Sequence, residues 1–456
     1  MGINKKISLI GAGSGCFSKS IVSGLCKSKA LSGCLVSLMD IDEARLNAVY
    51  TICVRINRFL GGNLRFEKTT DRAVTLQDAD IVINTALAAP HTRLVEGWEI
   101  AKKYGFRFGG SYHVMYDEAF WVNFYQLRLM EDITRDMQKY CPNAWHLMVA
   151  NPVVAGTTYL QRKYPDINMV GMCHGYQMIY QICTAMGIPH EDVTYQIPGV
   201  NHFVWLNEAR VNGEPMFPMI DKWLEENGEE YAKTCIHSAC LCKKRMDFYK
   251  KHGVIPIGDT MSWTGASWPW WYHSDDEVER SFHEYSPADG WYGYFSRVQG
   301  NADEFIIQAQ KLEADENAAP QGIGSDDLVV PLVEALAGGR ETTRIVNVLN
   351  KGQLVPGLPE DFEVEVPALC NADGVHPVRT SPLPKPIIAH TLRDRVAPVE
   401  MELAAYESGD INLLRELVLM DKWATSMEQV SAFIDEILDL PYHEEMRKHY
   451  RGEKQD

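Results

Sequence analysis

A glycine-rich turn placed between a short apolar run and a helix constrains the fold of this chain more than any other feature. Ile7–Ile10 predicts a buried strand, and the run Gly11-Ala12-Gly13-Ser14-Gly15 follows it at once. Backbone N–H groups in such a turn approach a pyrophosphate closely, and the helix N-terminus adds favourable electrostatics. Cys16 stands where the dinucleotide fingerprint has its third glycine, so the motif depends on its context. We assign three residues of the turn to a dinucleotide: Gly11, Gly13 and Ser14.

Asp40 provides that context, because it follows the second predicted strand, Leu35–Met39. A carboxylate there accepts hydrogen bonds from ribose hydroxyls and would repel a 2′-phosphate, which favours NAD over NADP. We also assign Asn84, the last residue of the predicted strand Ile81–Asn84, to the cofactor site. The alternative is an ordinary glycine-rich turn that binds no nucleotide.

Short apolar runs alternate with longer amphipathic ones from residue 5 to about 170, which is typical of βαβ units around a parallel sheet. Beyond about residue 195 the pattern loosens into tryptophan-rich loops. Strands at Arg344–Leu349 and Phe362–Val366 and helices within Val399–Leu440 then follow. The predicted fold class is therefore α/β. A Rossmann-type doubly wound parallel sheet occupies residues 1–198, and an α+β lobe for substrate, metal and oligomerisation occupies residues 199–456.

Charge and cysteine content narrow the possible partners and location. The formal net charge of -17 argues against nucleic acid or an anionic membrane as a partner and leaves a small molecule. The first apolar run is too short for a signal peptide, so we expect a cytoplasmic protein. Eleven irregularly spaced cysteines fit reduced thiols. One cluster has spacing too tight for a usual zinc finger: Cys235, His237, Cys240 and Cys242.

Four short motifs carry polar residues that a hydrophobic core would not select. A thiolate and an imidazole among them are good ligands for a divalent transition metal. Taken singly, each cysteine or histidine is more often structural than functional. The motifs are Asn151-Pro152, Cys173-His174-Gly175-Tyr176, Gly199-Val200-Asn201-His202 and Pro256-Ile257-Gly258-Asp259-Thr260.

In this order, behind a dinucleotide fold, the motifs resemble the family 4 glycoside hydrolases, which are NAD- and metal-dependent. The resemblance covers nearly the whole chain, and Cys-His-Gly is similar to the α-glucosidase-like branch. It extends to Leu38-Met39-Asp40-Ile41-Asp42, Val346-Asn347-Val348-Leu349-Asn350-Lys351-Gly352 and Glu445-Met446-Arg447-Lys448-His449-Tyr450.

The resemblance implies a reaction that uses both cofactors. NAD oxidises the C3 hydroxyl of the sugar, and the resulting ketone acidifies the C2 proton. A divalent ion, typically Mn²⁺, bridges O2 and O3 while a base removes that proton. The leaving group departs from C1 by elimination, water adds, and NADH returns the hydride.

The resemblance also implies roles for individual residues. Cys173 and His202 would bind the metal, Asn151 would hold sugar hydroxyls, and His174 would contact the sugar beside the metal. Two aspartates would move protons, and each has a structural alternative. Asp117 matches a candidate leaving-group acid but could instead cap a helix. Asp259 matches a candidate base at C2 but could instead form a turn.

One loop departs from the family pattern. Relatives tend to carry a Gln-Glu pair before the acid position, where this chain has Gly109-Gly110-Ser111-Tyr112-His113-Val114. We expect this loop to touch the sugar and assign His113 to the substrate site. The departure bears on which sugar is bound rather than on the mechanism.

The predicted function is hydrolysis of O-glycosides, with α-glucosides first and α-galactosides or uronides as the alternative. A 2-hydroxyacid dehydrogenase of the lactate or malate type, which shares the predicted fold, and a non-enzymatic NAD-sensing protein are further alternatives. The dehydrogenases are shorter and need no metal, and a sensor would not require Cys173, His202 and Asp259. By resemblance we expect a homodimer or homotetramer.

Overall fold

The first part of the chain forms strands and helices in strict alternation in a computed structural model, which describes residues 4–14, 16–234, 241–262, 268–282, 287–324 and 328–452. The strands are β1 Lys6–Ile10, β2 Leu35–Met39, β3 Arg65–Thr69, β4 Ile81–Asn84, β5 Trp145–Met148 and β6 Met169–Gly171. The helices are α1 Cys16–Lys27, α2 Glu43–Phe59, α3 Arg72–Leu76, α4 His91–Lys103, α5 Phe120–Tyr140, α6 Val153–Lys163 and α7 Met178–Met186.

These six strands pair in parallel in the order β6-β5-β4-β1-β2-β3, which is the doubly wound arrangement. The strands near its centre are buried along most of their length because helices pack on both faces. The strand order reverses at β1 and β4, so the turn after β1 lies where such sheets bind ligands. The predicted Rossmann-type sheet is confirmed.

The second part of the chain adds mostly antiparallel strands and many helices. The strands are β7 Val193–Gln196, β8 Gly199–Val200, β9 Phe203–Leu206, β10 Glu208–Val211, β11 Glu214–Pro215, β12 Ile255–Ile257, β13 Thr342–Leu349, β14 Glu363–Asn371 and β15 Gly374–Pro377. The helices are α8 Phe217–Thr234, α9 Lys243–His252, α10 Asp276–Ser281, α11 Pro287–Ala314, α12 Val330–Leu336, α13 Lys385–Thr391, α14 Ala397–Ser408, α15 Ile411–Leu419, α16 Met427–Leu438 and α17 Glu444–Arg451.

The two parts share one continuous sheet. β13 pairs antiparallel with β6 through Asn347 and Gly171, and β14, β8, β9 and β12 extend the sheet from there. Strands β7, β10 and β11 form a separate small sheet. The predicted boundary at residues 198 and 199 falls between β7 and β8, and it stays a prediction. The described α+β region therefore places polar side chains of β13, β14 and the turn after β8 in the same sheet as β6.

The loosened pattern beyond residue 195 concealed helices that the sequence did not predict. The longest, α11, contains Gly293 and Gly300, which lower intrinsic helix propensity and blur the periodic pattern. Packing on α2 compensates, because Arg55 donates hydrogen bonds of 2.6 Å to the carbonyls of Leu312 and Glu316 near the end of α11. Among the described residues, no helix is long and apolar enough to cross a membrane.

The cysteines partly bear out the expectation of reduced thiols. Eight of them have described side chains, and all eight are free of disulfides. The possible zinc cluster cannot be located as a group, because Cys235, His237 and Cys240 lie outside the described residues, as does Trp263. Cys242 is buried at the start of α9.

Candidate active site

The turn after β1 is held tightly against the strands beside it. Gly11 has a φ of +84°, and its N–H donates to the carbonyl of Met39 at 3.0 Å. A Cβ atom at Gly11 would lie 2.5 Å from the backbone Cα of Ala86, just after β4. Only glycine fits there, because the backbone is left-handed and the neighbouring chain passes too close for a side chain.

Gly13 and Asp40 form the second contact of this turn. The Gly13 N–H donates to Asp40 Oδ2 at 2.7 Å, and the Asp42 N–H donates to Oδ1 at 2.9 Å. A Cβ atom at Gly13 would lie 2.7 Å from the Asp40 carboxyl carbon. The carboxylate is thus fixed at the end of β2, with its side chain partly exposed for a ligand.

The other two predicted cofactor residues lie at the same edge. Ser14 is exposed where the turn leads toward α1, and its N–H donates to the Gly11 carbonyl at 3.2 Å. Asn84 is fully buried at the end of β4. Its Oδ1 accepts from the Ala86 N–H at 3.1 Å, while its Nδ2 has no hydrogen-bond partner. The structure therefore places all five predicted cofactor residues around one turn.

The loops that carry Cys173 and Asp259 touch backbone to backbone. A Cβ atom at Gly258, whose φ is +58°, would lie 2.7 Å from the Cα of Gly175. The buried Arg245 braces the second loop by donating to the carbonyls of Pro256 and Gly258, each at 2.7 Å. The two glycines are what allow the thiol and the carboxylate to approach the same point.

His202 sits at the tip between β8 and β9 with a φ of +59°. Its Nδ1 lies 2.8 Å from the hydroxyl of Tyr116 and 3.0 Å from Glu118 Oε1. Its Nε2 lies 3.5 Å from Asp259 Oδ2, and the ring is within hydrogen-bonding reach of the Cys173 thiol. One ring nitrogen is therefore occupied by orienting groups while the other faces the remaining candidate ligands.

Electrostatics in this cluster are dominated by burial and neighbouring acids. Burial raises the pKa of the Cys173 thiol. Burial lowers the pKa of His202, but Cys173, Glu118 and Asp259 outweigh that effect and hold it well above its usual value. Burial, reinforced by the adjacent Glu118, raises the pKa of Asp117 to about 7. Asp117 therefore keeps its proton to a higher pH than an exposed carboxyl would.

Asp117 does not cap the helix that follows it. Ala119 is the residue at the start of α5, and no side chain caps that helix. The capping alternative is therefore wrong: the chain needs two more residues before it turns helical. Asp117 Oδ2 instead accepts from Asn151 Nδ2 at 3.2 Å, so the candidate acid and the predicted sugar-binding amide meet.

Asp259 does take part in a turn, as its structural alternative proposed. It lies in the short helical turn Gly258–Met261, and the Ser262 hydroxyl donates to its Oδ1 at 3.3 Å. Its Oδ2 still faces His202 Nε2. The turn therefore orients the carboxylate toward the cluster, and the two interpretations are compatible.

The two predicted substrate histidines differ in their surroundings. His174 is exposed on the Cys173 loop, with its ring 6.0 Å from that of Phe17 in α1, which joins this loop to the dinucleotide turn. His113 is 2% exposed, and its Nδ1 lies 3.4 Å from Glu402 Oε1 on α14. In the described part of the chain, no hydrogen bond or ion pair joins His113 to Cys173 or His202. Its contact with substrate stays a prediction.

Several buried polar residues around His202 escaped the sequence analysis. The Asn201 N–H donates to Glu363 Oε2 at 3.1 Å, and its Nδ2 donates to Glu365 Oε2 at 3.2 Å. Burial raises the pKa of Glu365 to about 7 and that of Glu363 well above its usual value. Glu118 and Tyr116 complete the set on the other side of the imidazole. The one sequence signal for these residues was the presence of Glu363 and Glu365 inside the predicted strand Phe362–Val366.

The side chains present fit a divalent metal, although no three acidic, cysteine or histidine side chains of the described residues stand in a complete coordinating group. A histidine ligand usually has its second ring nitrogen held by an orienting group; here the Tyr116 hydroxyl is hydrogen-bonded to Nδ1 of His202, and Glu118 Oε1 lies 3.0 Å from the same nitrogen. Cys173 and His202 would then supply a sulfur and a nitrogen donor, which suits a first-row transition ion, and Asp259 would lie beside that ion.

A doubly wound dinucleotide fold beside a thiol, imidazole and carboxylate cluster defines a narrow class of proteins. The chain belongs to the family 4 glycosyl hydrolases: the family's sequence profile matches residues 6–188, and the profile of its C-terminal domain matches residues 197–424. It is 26% identical to the α-galactosidase of Bacillus subtilis (strain 168) over 84% of this chain and 85% of that protein. It is 25% identical to the α-glucosidase of Erwinia rhapontici over 94% and 96%.

Solved structures show the same architecture. The 6-phospho-α-glucosidase from gut microorganisms in complex with NAD and Mn²⁺ matches with a TM-score of 0.78 and 18% identity, over 96% of this chain and 98% of that one. Lactate dehydrogenase from Eimeria maxima matches at a TM-score of 0.52 and 14% identity, over 90% and 97%. The predicted lactate-dehydrogenase-like fold is confirmed, and the likeness to that enzyme is one of fold alone.

Proposed function

We propose that this glycoside hydrolase uses NAD and a divalent metal, preferably Mn²⁺, to hydrolyse α-linked glycosides. The observation that carries the proposal is the orientation of His202, whose Nδ1 is held by Glu118 and Tyr116 while Nε2 faces Asp259 and the ring reaches Cys173. This arrangement leaves Nε2 directed at the candidate ligands while Nδ1 is held from behind. The contact between His174 and Phe17 links this cluster to the dinucleotide turn.

The residues present divide the work between two sites. Gly11, Gly13 and Ser14 shape a turn without bulky side chains that lets the pyrophosphate approach the start of α1, and Asp40 accepts hydrogen bonds from the ribose. Cys173 and His202 hold the metal. When bound, NAD would supply a hydride acceptor and donor, and the metal would supply a Lewis acid for the sugar hydroxyls.

Two aspartates and one asparagine act on the sugar. Asp259 lies beside His202 and removes the C2 proton, since a base must stand close to the atoms that the metal polarises. Asp117 keeps its proton near pH 7 and donates it to the leaving oxygen. Asn151, bonded to Asp117, binds a sugar hydroxyl and keeps the acid in place. Burial and the neighbouring Glu118 thus suit Asp117 to the acid role.

The sugar follows from resemblance. Cys-His-Gly puts α-glucosides first, and the similarity to an α-galactosidase supports α-galactosides as an alternative. The loop 109–114 departs from the family pattern, and we therefore keep α-linked uronides as a further alternative substrate. We place the enzyme in the cytoplasm, where the Cys173 thiol stays reduced and able to bind metal, and we expect a homodimer or homotetramer.

The test is a screen of nitrophenyl α-glucoside, α-galactoside and α-glucuronide in the presence of a thiol. We expect hydrolysis of at least one of them only when NAD and Mn²⁺ are both present. Chelation should abolish the activity, and added Mn²⁺ should restore it. Full activity after exhaustive chelation, or after removal of NAD, would contradict the proposal.

A further inference from the structure

Arg395 is a buried cation with no carboxylate of the described residues within ion-pair distance. It is 2% exposed, and Nη1 donates to the carbonyl of the adjacent Asp394 at 2.6 Å. Its Nε and Nη2 are buried and have no hydrogen-bond partner, and within the described chain no carboxylate forms an ion pair with it. An arginine stays charged at all relevant pH values, so burying it unpaired is costly unless a ligand completes the site.

A comparison with Arg245 shows how unusual this is. Arg245 is also fully buried, but both of its terminal nitrogens donate to backbone carbonyls of the Asp259 loop. Arg395 alone among the described arginines has two buried guanidinium nitrogens without a partner. Arg245 therefore braces the protein itself, whereas Arg395 has donor groups that the described protein leaves unused.

Two aromatic rings limit which side of the Arg395 guanidinium can donate hydrogen bonds to a ligand. Its guanidinium carbon lies 3.2 Å from the ring centre of Tyr112 and 4.3 Å from that of Phe203. Rings on its faces leave the edges of the planar group for hydrogen bonding, and Asp394 takes one of them. The Nε–Nη2 edge remains, and two parallel N–H groups on one edge match the two oxygens of a carboxylate.

The two rings that contact Arg395 belong to segments attached to His202 of the proposed catalytic cluster. Phe203 directly follows His202, and the Tyr112 hydroxyl donates to the carbonyl of His202 at 2.9 Å. Tyr112 belongs to the loop 109–114, which we expect to contact the sugar. Arg395 itself lies in the single wide helical turn Leu392–Val396, an irregularity often found at functional sites.

We propose that Arg395 binds the C6 carboxylate of the sugar, so that the preferred substrate is an α-linked hexuronide. The assignment rests on the proposed glycosidase function and deepens it. One guanidinium matches the single negative charge and planar shape of a carboxylate. A 6-phosphate carries up to two negative charges, and this one arginine would neutralise only one of them.

The experiment compares kcat/KM for nitrophenyl α-glucuronide and α-galacturonide with the matched neutral glycosides, in the presence of NAD and Mn²⁺. We expect the wild type to prefer a uronide. Arg395→Met should lower kcat/KM for the uronide on the order of 100-fold or more while changing that for the neutral glycoside by less than about threefold. Arg395→Lys keeps the positive charge but loses the planar pair of N–H donors. Its kcat/KM for the uronide should therefore lie between the values of the wild type and of Arg395→Met. Arg393→Met is the matched control, because Arg393 is on the same turn but exposed.

A binding measurement separates the possible failures. Thermal stabilisation of the NAD-loaded protein by glucuronate or galacturonate should exceed that by glucose or galactose, and Arg395→Met should remove the difference while keeping stabilisation by NAD. Equal loss of activity on neutral and acidic substrates would overturn the inference and leave the glycosidase function intact. Stronger binding of glucose 6-phosphate would overturn the carboxylate assignment. Absence of all hydrolysis would contradict the proposed function, and the binding comparison would still decide the role of Arg395.

Discussion

The turn after β1 and the cluster around His202 lie at the same edge of the sheet but are built in opposite ways. In the turn, backbone groups meet neighbouring backbone and one carboxylate, as the Gly13 N–H meets Asp40. In the cluster, acidic side chains from distant segments are buried together. Asp117 Oδ1, Asn201 Oδ1 and Glu365 Oε1 are all buried without a hydrogen-bond partner.

The turn has its polar groups paired within the protein, whereas the cluster has buried acidic groups that still lack partners. The turn needs only glycines and a well-placed strand end, so it forms with the sheet. The cluster carries raised pKa values at Asp117, Glu363 and Glu365 because burial and mutual repulsion disfavour their charged forms. A bound cation and a sugar would relieve that cost. Changes in the two regions should therefore separate cofactor binding from catalysis.

The largest expected effect comes from breaking the cluster alone. Cys173→Ser should lower kcat/KM by at least about 1,000-fold, because loss of the thiolate removes several kcal/mol of metal-dependent stabilisation. Stabilisation of the protein by NAD should survive, since the turn is untouched. Cys183→Ala, at a buried cysteine of α7, serves as the control and should retain activity. Equal loss of NAD binding and activity in Cys173→Ser would assign Cys173 a structural role instead.

Breaking the turn alone should give the reverse result. Gly13→Ala adds a Cβ atom 2.7 Å from the Asp40 carboxyl carbon, so the carboxylate must move. We expect the Kd for NAD to rise by about 10- to 100-fold, as an overlap costing 1–3 kcal/mol would produce. Mn²⁺ binding should be unchanged. Gly293→Ala in α11, where an added Cβ meets no atom within 4 Å, should alter neither.

Glu118→Gln sharpens the comparison within the cluster. The change keeps the shape but removes the negative charge 3.0 Å from His202 Nδ1. Metal affinity should fall by about 10- to 100-fold, as is typical when the partner of a histidine ligand is lost. Titration with Mn²⁺, followed by the free ion's electron paramagnetic resonance signal, measures this directly. Tyr116→Phe removes a neutral partner of the same nitrogen and should cost less. Unchanged Mn²⁺ affinity in both variants would show that neither Glu118 nor Tyr116 orients His202 for metal binding.

The prediction for Asp421, which holds the loop 109–114, concerns the stability of the fold, and its effect on catalysis should be the smallest. Its carboxylate accepts from the N–H groups of Ser111 and Trp423 at 2.6 and 2.8 Å, and burial raises its pKa to about 7. A folded-state pKa above the unfolded one means that stability falls as pH rises between about 4 and 7. Asp421→Asn should remove that fall, worth on the order of 4 kcal/mol at most. The free energy of unfolding of both proteins should be measured between about pH 4 and 7. An equal fall in the wild type and in Asp421→Asn would contradict this prediction.

The sequence predicted the first sheet well because its signals are local. β2 and β4 were placed at their observed ends. The junction between β13 and β6 could not be predicted, because Asn347 and Gly171 are brought together only by the tertiary fold. Likewise α11 is stabilised by Arg55 of a distant helix rather than by its own glycine-containing sequence.

In the candidate site, too, residues in local motifs were predicted, whereas residues brought together only by the tertiary fold were not. Cys173, His202 and Asp259 were found through ordered motifs, but Glu363 and Glu365 alternate with valines, which is the usual pattern of a half-exposed strand. Both glutamates are buried because α6 and α12 pack against β14 and Asn201 covers the two carboxylates. Arg395 gave no sequence signal at all, since an arginine in a helical segment is ordinarily solvent-exposed.

The central claim is that the enzyme breaks the glycosidic bond by way of the C2 proton. The most direct measurement is hydrolysis in D₂O of a glycoside that the enzyme accepts, followed by mass spectrometry of the released sugar. We predict one deuterium at C2, because a proton removed by Asp259 would exchange with solvent before it is returned. A product with no deuterium at C2, formed at the full rate of hydrolysis, would contradict the account.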